Sequence, residues 1–143
     1  MAHADLDALL NAVIPFTQQM LSAHGEFYPV GASMSSAGEI ALASAASETE
    51  RPKSQDIIDD LVAYFRSEAS NGGIRACIVC YDGRVAPPGH TEKSDAICAW
   101  LEHQCGESIA LFLPYSKGTP GDLEYGELFA SPMDSQVFAR ASS

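Results

Sequence analysis

Two cysteines three residues apart, Cys77 and Cys80, have the residue types for redox or metal chemistry. Both uses of a Cys-x-x-Cys motif need a turn or a helix start that brings the two sulfurs together. Here the motif lies inside an apolar segment, residues 74–81, that is typical of a buried strand. Residues i and i+3 of a strand point to opposite faces. We therefore expect both thiols to be buried in the core.

A second group of potential metal ligands consists of Cys98, His103 and Cys105, with Cys77 or Cys80 as a fourth member. Zinc ligands usually come in closely spaced pairs, and within this group only His103 and Cys105 approach that spacing. The sequence has no second Cys-x-x-Cys motif and no His-x-x-x-His motif. We therefore expect neither a metal site nor a bound cofactor.

Histidines next to carboxylates suggest acid–base chemistry at His24 with Glu26, and at Glu102 with His103. A glutamate can orient an imidazole as a general base. Adjacent strand residues face opposite ways, so Glu102 and His103 do not pair with each other. His103 needs Glu26, or another acid, brought close by the fold. The favoured interpretation is a helix-cap histidine and surface charges, and the alternative is a catalytic group.

The segment from Arg84 to Asp95 is rich in glycine and proline and long for a hairpin connection. Long loops are disproportionately functional. The segment from Arg84 to Asp95 contains the cations Arg84 and Lys93 and, at low pH, His90, whereas the chain as a whole is acidic. The simpler interpretation is a mobile hairpin tip. The alternative is a recognition loop in which Arg84, His90, Lys93 and Asp95 bind a partner or an anionic small molecule.

The charge balance is strongly acidic, with 8 Lys and Arg against 19 Asp and Glu and a net charge of −11. Phosphate binding rests on clustered Lys and Arg, so we expect no nucleic-acid partner. No apolar run approaches the roughly 20 residues that span a bilayer. The amino-terminal residues lack a basic region and include two acids, which argues against a signal peptide. We expect a cytoplasmic protein without a membrane partner.

Apolar periodicity predicts two helices, over residues 5–24 and 54–70. Pro15 predicts a kink in the first helix or a later start. The alanine-rich stretch after residue 40 has some helical character, but the turn before it and Ile40 favour a strand. The predicted strands cover residues 26–34, 39–44, 74–81, 95–103, 108–115 and 123–130, with a weak final strand at 136–138.

Hairpin connections dominate this order of elements, and only one helix lies between strands. The pattern predicts an α+β fold: a mainly antiparallel sheet of about six strands with both helices packed on one face. We expect residues 1–143 to form a single domain, in which residues 132–143 are a partly frayed tail.

Four segments resemble a group of small bacterial proteins of unknown function: residues 24–32, 93–97, 113–115 and 124–127. The resemblance covers most of the chain and implies a bacterial, intracellular origin without implying an activity. The element order is also similar to that of roadblock and profilin-like domains, which are mostly dimerising or partner-binding platforms. That similarity concerns the fold alone, and fold does not decide function.

The leading hypothesis is a non-enzymatic cytosolic domain that binds a protein partner or forms a homodimer. It predicts an exposed apolar patch or edge strand. One version is an immunity-like protein whose acidity neutralises a basic toxin. The alternative is a small enzyme or ligand-binding protein with a deep pocket near Glu26, Glu102 and His103, in which polar groups converge and pKa values are shifted.

Overall fold

The computed structural model describes residues 4–24, 27–43, 54–86, 89, 91–117, 123–132 and 137–138. The helices are α1 (Ala4–His24) and α2 (Ser54–Ser70), and both confirm the predicted bounds to within one residue. The strands are β1 (Val30–Ser35), β2 (Ile40–Ala43), β3 (Ile74–Val85), β4 (Ser94–His103), β5 (Ser108–Lys117), β6 (Leu123–Tyr125) and β7 (Phe129–Pro132).

The seven strands form one antiparallel arrangement, which confirms an α+β fold with a mainly antiparallel sheet. The order is β2-β1-β3-β4-β5-β6, and β7 also pairs with β5. β6 pairs with residues 115–117 of β5, while β7 pairs with residues 109–112. The single predicted strand at 123–130 is therefore two strands that share the outer edge of β5. β3 and β4 lie at the centre of the sheet.

The two helices lie on opposite faces of the sheet, so the prediction that both pack on one face is wrong. α1 packs with Ala76, Ile78 and Cys80 of β3. α2 packs with the alternate residues Cys77 and Val79. Because successive strand residues point to opposite faces, these two sets define an α1 face and an α2 face. A strand that is apolar on both faces needs cover on both.

Glycine allows α2 to approach β1 closely. The apolar stripe of α2 includes Phe65, whose side chain is fully buried. A Cβ atom at Gly31 would lie 2.9 Å from Cζ of Phe65 and 3.0 Å from the carbonyl oxygen of Ile78. The missing side chain therefore leaves room for the aromatic ring against the backbone of the sheet. α2 is followed by Gly72, whose φ of 72° is in the left-handed region that favours glycine.

α1 continues through Pro15, which is exposed. Its buried positions include Leu6, Leu9, Val13 and Leu21, which recur at helical spacing and face the sheet. Neither of the two helices in the described part of the chain combines the length and the apolar character needed to cross a membrane.

Candidate functional site

Strand geometry separates the two cysteines of the Cys-x-x-Cys motif, as predicted. Cys77 is buried on the α2 face and Cys80 on the α1 face. Burial raises the pKa of both thiols well above the ordinary value, and it raises the pKa of Cys98 to about 11. The three thiols are therefore protonated at neutral pH and poorly nucleophilic. Within the described ranges, no three His, Cys, Asp or Glu residues are grouped as metal ligands.

His103 is buried at the end of β4 with both ring nitrogens engaged. Nδ1 accepts the backbone N–H of Cys105 at 3.1 Å, so the neutral ring carries its proton on Nε2. Nε2 donates to Oδ2 of Asp5, in the first turn of α1, at 2.8 Å. Arg75 donates to the other carboxylate oxygen of Asp5 at 3.1 Å. The contacts tie the start of α1 to the sheet, and they occupy the lone pair that a general base needs.

The same contacts shift the titration of Asp5. The hydrogen bond from His103 lowers the pKa of the Asp5 carboxyl, and the guanidinium of Arg75 adds to the effect while partial burial opposes it. Asp5 is therefore ionised throughout the neutral range. Its negative charge is matched locally by hydrogen-bond donors from two strands.

Glu102 is buried on the face opposite His103, since the two are neighbours on a strand. Its carboxyl oxygens accept the backbone N–H of Val137 at 2.9 and 3.1 Å, and that of Phe138 at 3.3 Å. Val137 is buried there in the α2-face core. The predicted strand at 136–138 is wrong for its two described residues, because their N–H groups donate to a side chain and not to a neighbouring strand.

The candidates for an acid–base pocket are not brought together. Glu102 and His103 lie on different faces of the sheet. His24 ends α1, about 28 Å along the helix axis from Asp5, which contacts His103. The side chain of His24, and all of Glu26, lie outside the described residues. Glu102 and His103 therefore have separate structural roles. Glu102 holds residues 137–138, and His103 holds the start of α1.

The connection between β3 and β4 is shorter than predicted, because both strands extend into it. Arg84 and Asp95 are therefore cross-strand neighbours. Nε of Arg84 lies 3.6 Å from Oδ1 of Asp95, with the Arg84 side chain largely exposed and that of Asp95 about half-exposed. Lys93 is exposed in the connection, and His90 lies outside the described residues. The charge of Arg84 is thus balanced within the hairpin.

The feature that sequence reasoning missed is an apolar groove on the α1 face, which we call the β5 groove. β5 forms its floor, α1 forms one wall, and β7 with the segment before it forms the other. Two cavities of about 420 and 150 Å³ lie along it. The principal apolar side chains of the groove are Ile109, Leu111 and Leu113 of the floor, Leu10 and Ile14 of α1, and Leu128.

The groove exists because α1 is too narrow to cover its whole face. α1 packs on β1, β3 and β4. A helix with its side chains is about 10–12 Å wide, whereas strands are spaced about 4.8 Å apart. β5 and β7 therefore extend beyond the helix. The floor is only half-buried, and 48% of Leu128 is exposed.

The two ends of the β5 groove differ in character. Asp7 and Glu107 lie at the end near the start of α1, where Ser108 and Ser131 also line the larger cavity. At the other end, the α1 face of β5 continues from Leu113 to a buried tyrosine at position 115. Its hydroxyl donates to Oδ1 of Asp82 at 2.6 Å. Burial, with the nearby Asp82 carboxylate, raises the pKa of Tyr115 well above its ordinary value, so the phenol stays protonated at neutral pH.

An apolar cleft with a few polar groups is the usual form of a site that binds another molecule. The β5 groove has the polar lining residues Asp7, Glu107, Ser108 and Ser131 at one end, and Asn11 of α1 in the smaller cavity. It suits a ligand that buries apolar side chains along the floor and carries positive charge or donors near Asp7 and Glu107.

Comparison with known protein-family models finds no match to this chain, and comparisons with curated proteins and with solved structures also find none.

Proposed function

We propose that this chain is a protein-binding domain that holds a segment of a partner protein in the β5 groove. The single observation that carries the proposal is the half-buried apolar floor of β5, which the described residues cover only in part. Burying such area is the main source of affinity in protein association. The separate structural roles of Glu102 and His103 add support, because they leave the groove as the principal site for a ligand.

Two exposed leucines provide a matched pair of variants for the test. Leu128 is 48% exposed and lines the groove, whereas Leu42 is 62% exposed on β2, at the opposite edge of the sheet. Replacing either by glutamine removes an exposed apolar side chain without opening the core. Only Leu128→Gln changes the groove.

The experiment selects binders from a random library of 15-residue peptides displayed on phage, with the unmodified protein as bait. The enriched peptides are then synthesised, and fluorescence anisotropy gives their Kd values for the protein and both variants. Fully burying an exposed leucine is worth about 1.5–3 kcal/mol, and about half of Leu128 remains to be buried, so its contribution is about 0.8–1.5 kcal/mol, or about fourfold to tenfold in Kd. We expect about fourfold to tenfold weaker binding to Leu128→Gln and less than twofold change with Leu42→Gln. Equal affinity for both variants, or a library without saturable binders, would refute the proposal.

A further inference from the structure

We infer that the occupant of the β5 groove is an amphipathic α-helix of another protein, with Lys or Arg residues placed to meet Asp7 and Glu107. The inference rests on the proposed function and specifies the partner. It is carried by three properties of the groove: its width, the scarcity of hydrogen-bonding groups along its floor, and its charge.

The width of the groove matches a helix. α1 is centred over β3, since it packs on β1, β3 and β4. β5 is two strands away from β3, which is about 9.6 Å at a strand spacing of about 4.8 Å. Packed helices have interaxial distances of about 8–10 Å. A helix over β5 would therefore contact α1 along its side and complete a two-helix layer on the α1 face.

The floor of the groove favours a helix over an extended peptide. It presents the side chains of Ile109, Leu111 and Leu113, and the backbone of β5 is already paired with β4 and with β6 or β7. An extended segment lying on this floor would bury backbone N–H and C=O groups without partners, which is costly. A helix satisfies these groups internally.

The length of the apolar strip determines how many turns of a bound helix can contact it. From Leu6 to Ile14 the α1 wall is about 12 Å long at about 1.5 Å per residue, and the floor from Ile109 to Leu113 is about 13 Å at about 3.3 Å per residue. A helix of the same length has two to three turns in contact. Its apolar residues would therefore recur at i, i+3 or i+4, and i+7.

Charge selects a cationic partner over a second copy of this chain. Asp7 and Glu107 line one end of the groove, and the whole chain has a net charge of −11. A second copy would bring the same acidic surface against these carboxylates, and like charges disfavour association. Lys or Arg on the solvent-facing side of a docked helix can reach the carboxylates while their apolar stems lie along the rim.

The test uses three synthetic 18-residue peptides of leucine, alanine and one charged residue type. The first has leucines at helical spacing and lysines on the other side, the second has glutamates for lysines, and the third is the lysine peptide with its leucines scrambled. Anisotropy at low ionic strength gives their Kd values. We expect the helical lysine peptide to bind at least tenfold more tightly than either of the others.

Two double variants separate local charge from the net charge of the chain. Asp7→Asn with Glu107→Gln removes two carboxylates from the groove, whereas Asp60→Asn with Glu124→Gln removes two exposed carboxylates elsewhere. We expect the groove variant to bind the helical lysine peptide threefold to tenfold more weakly, and the control variant less than twofold. Equal effects of the two double variants would overturn the inference, because binding would then follow net charge.

The outcomes also distinguish this inference from the proposed function. Library-selected peptides that require Leu128 but lack helical spacing, or a glutamate peptide that binds as tightly as the lysine peptide, would overturn the basic helix and leave a protein-binding groove. A dimer in light scattering that Leu128→Gln dissociates would make the occupant a second copy and also overturn it. Failure of every peptide to depend on Leu128 would overturn both.

Discussion

The two faces of the sheet differ where β4 meets β5. On the α2 face, Val137 and Phe138 pack in the same apolar cluster as Trp100, and Glu102 holds their backbone. On the α1 face, the described residues cover the floor of the β5 groove only in part. Apolar area that is already buried stabilises the fold, while area that is still exposed can stabilise a complex. The difference separates side chains that maintain this fold from those available for binding.

The largest loss of stability should come from replacing Phe65, whose ring packs α2 against the sheet. Phe65→Ala removes a fully buried side chain against Gly31, and we expect it to lower the free energy of unfolding by about 3–5 kcal/mol. Urea unfolding, followed by the fluorescence of Trp100, measures the loss. The control is Tyr64→Ala, at a neighbouring position that is 52% exposed, where we expect a loss below about 1 kcal/mol. Similar losses at the two positions would contradict the packing of the Phe65 ring against Gly31.

The next effect concerns the closure of the α2 face. Glu102→Ala leaves the N–H groups of Val137 and Phe138 without their acceptor, and each unsatisfied buried group costs about 1–3 kcal/mol. We expect a loss of about 2–4 kcal/mol in urea unfolding, with faster amide hydrogen exchange at Val137. Glu102→Gln keeps one acceptor oxygen and should lose about half as much. If Glu102→Ala left the exchange at Val137 unchanged, the carboxyl would not be what holds this segment.

Several parts of this fold were accessible from sequence because their signals are local. Periodicity located both helices and the central strands, and strand alternation placed Cys77 and Cys80 on opposite faces. The apolar character of β3 on both of its faces also indicated cover on both sides. The prediction of two helices on one face followed from the order of the elements along the chain. It neglected the apolar pattern within β3, which indicated cover on both faces.

The groove could also have been predicted from sequence, by comparing the width of one helix with the number of strands in the sheet. One helix covers about two to three strands, so a single helix on each face leaves part of a broader sheet exposed. Residues 109–113 are apolar without interruption, so this strand carries apolar side chains on both faces. By contrast, the contact of His103 with Asp5 joins residues 98 apart in the chain, and that of Glu102 with Val137 joins residues 35 apart. No local pattern predicts either pairing.

A smaller, pH-dependent loss of stability should come from removing the contacts of Asp5 that hold the start of α1 on the sheet. The pKa of Asp5 is lowered by the hydrogen bond from His103 and by Arg75. A carboxyl whose folded-state pKa lies below its ordinary value stabilises the fold fully above that value, and this stabilisation is lost as pH falls through the lowered pKa. We expect Asp5→Asn to cost about 1 kcal/mol at pH 7.

The difference between Asp5→Asn and the unmodified protein should shrink as pH falls below about 4. Urea unfolding at a series of pH values measures it. Asp7→Asn is the control, since this exposed residue lies two positions along the same helix without the described contacts to His103 and Arg75. A difference between Asp5→Asn and the unmodified protein that grew at acid pH would contradict the assigned ion pair.

The smallest effect on stability should come from the groove itself, and it tests the comparison of the two faces most directly. Leu128 is 48% exposed, so Leu128→Gln removes little apolar contact from the free protein. We expect the free energy of unfolding to fall by less than about 1 kcal/mol, although the same substitution should weaken peptide binding about fourfold to tenfold. Urea unfolding and peptide anisotropy on one preparation measure both quantities. A stability loss above about 1.5 kcal/mol would mean that Leu128 is already packed in the free protein and that the α1 face is closed here, as the α2 face is.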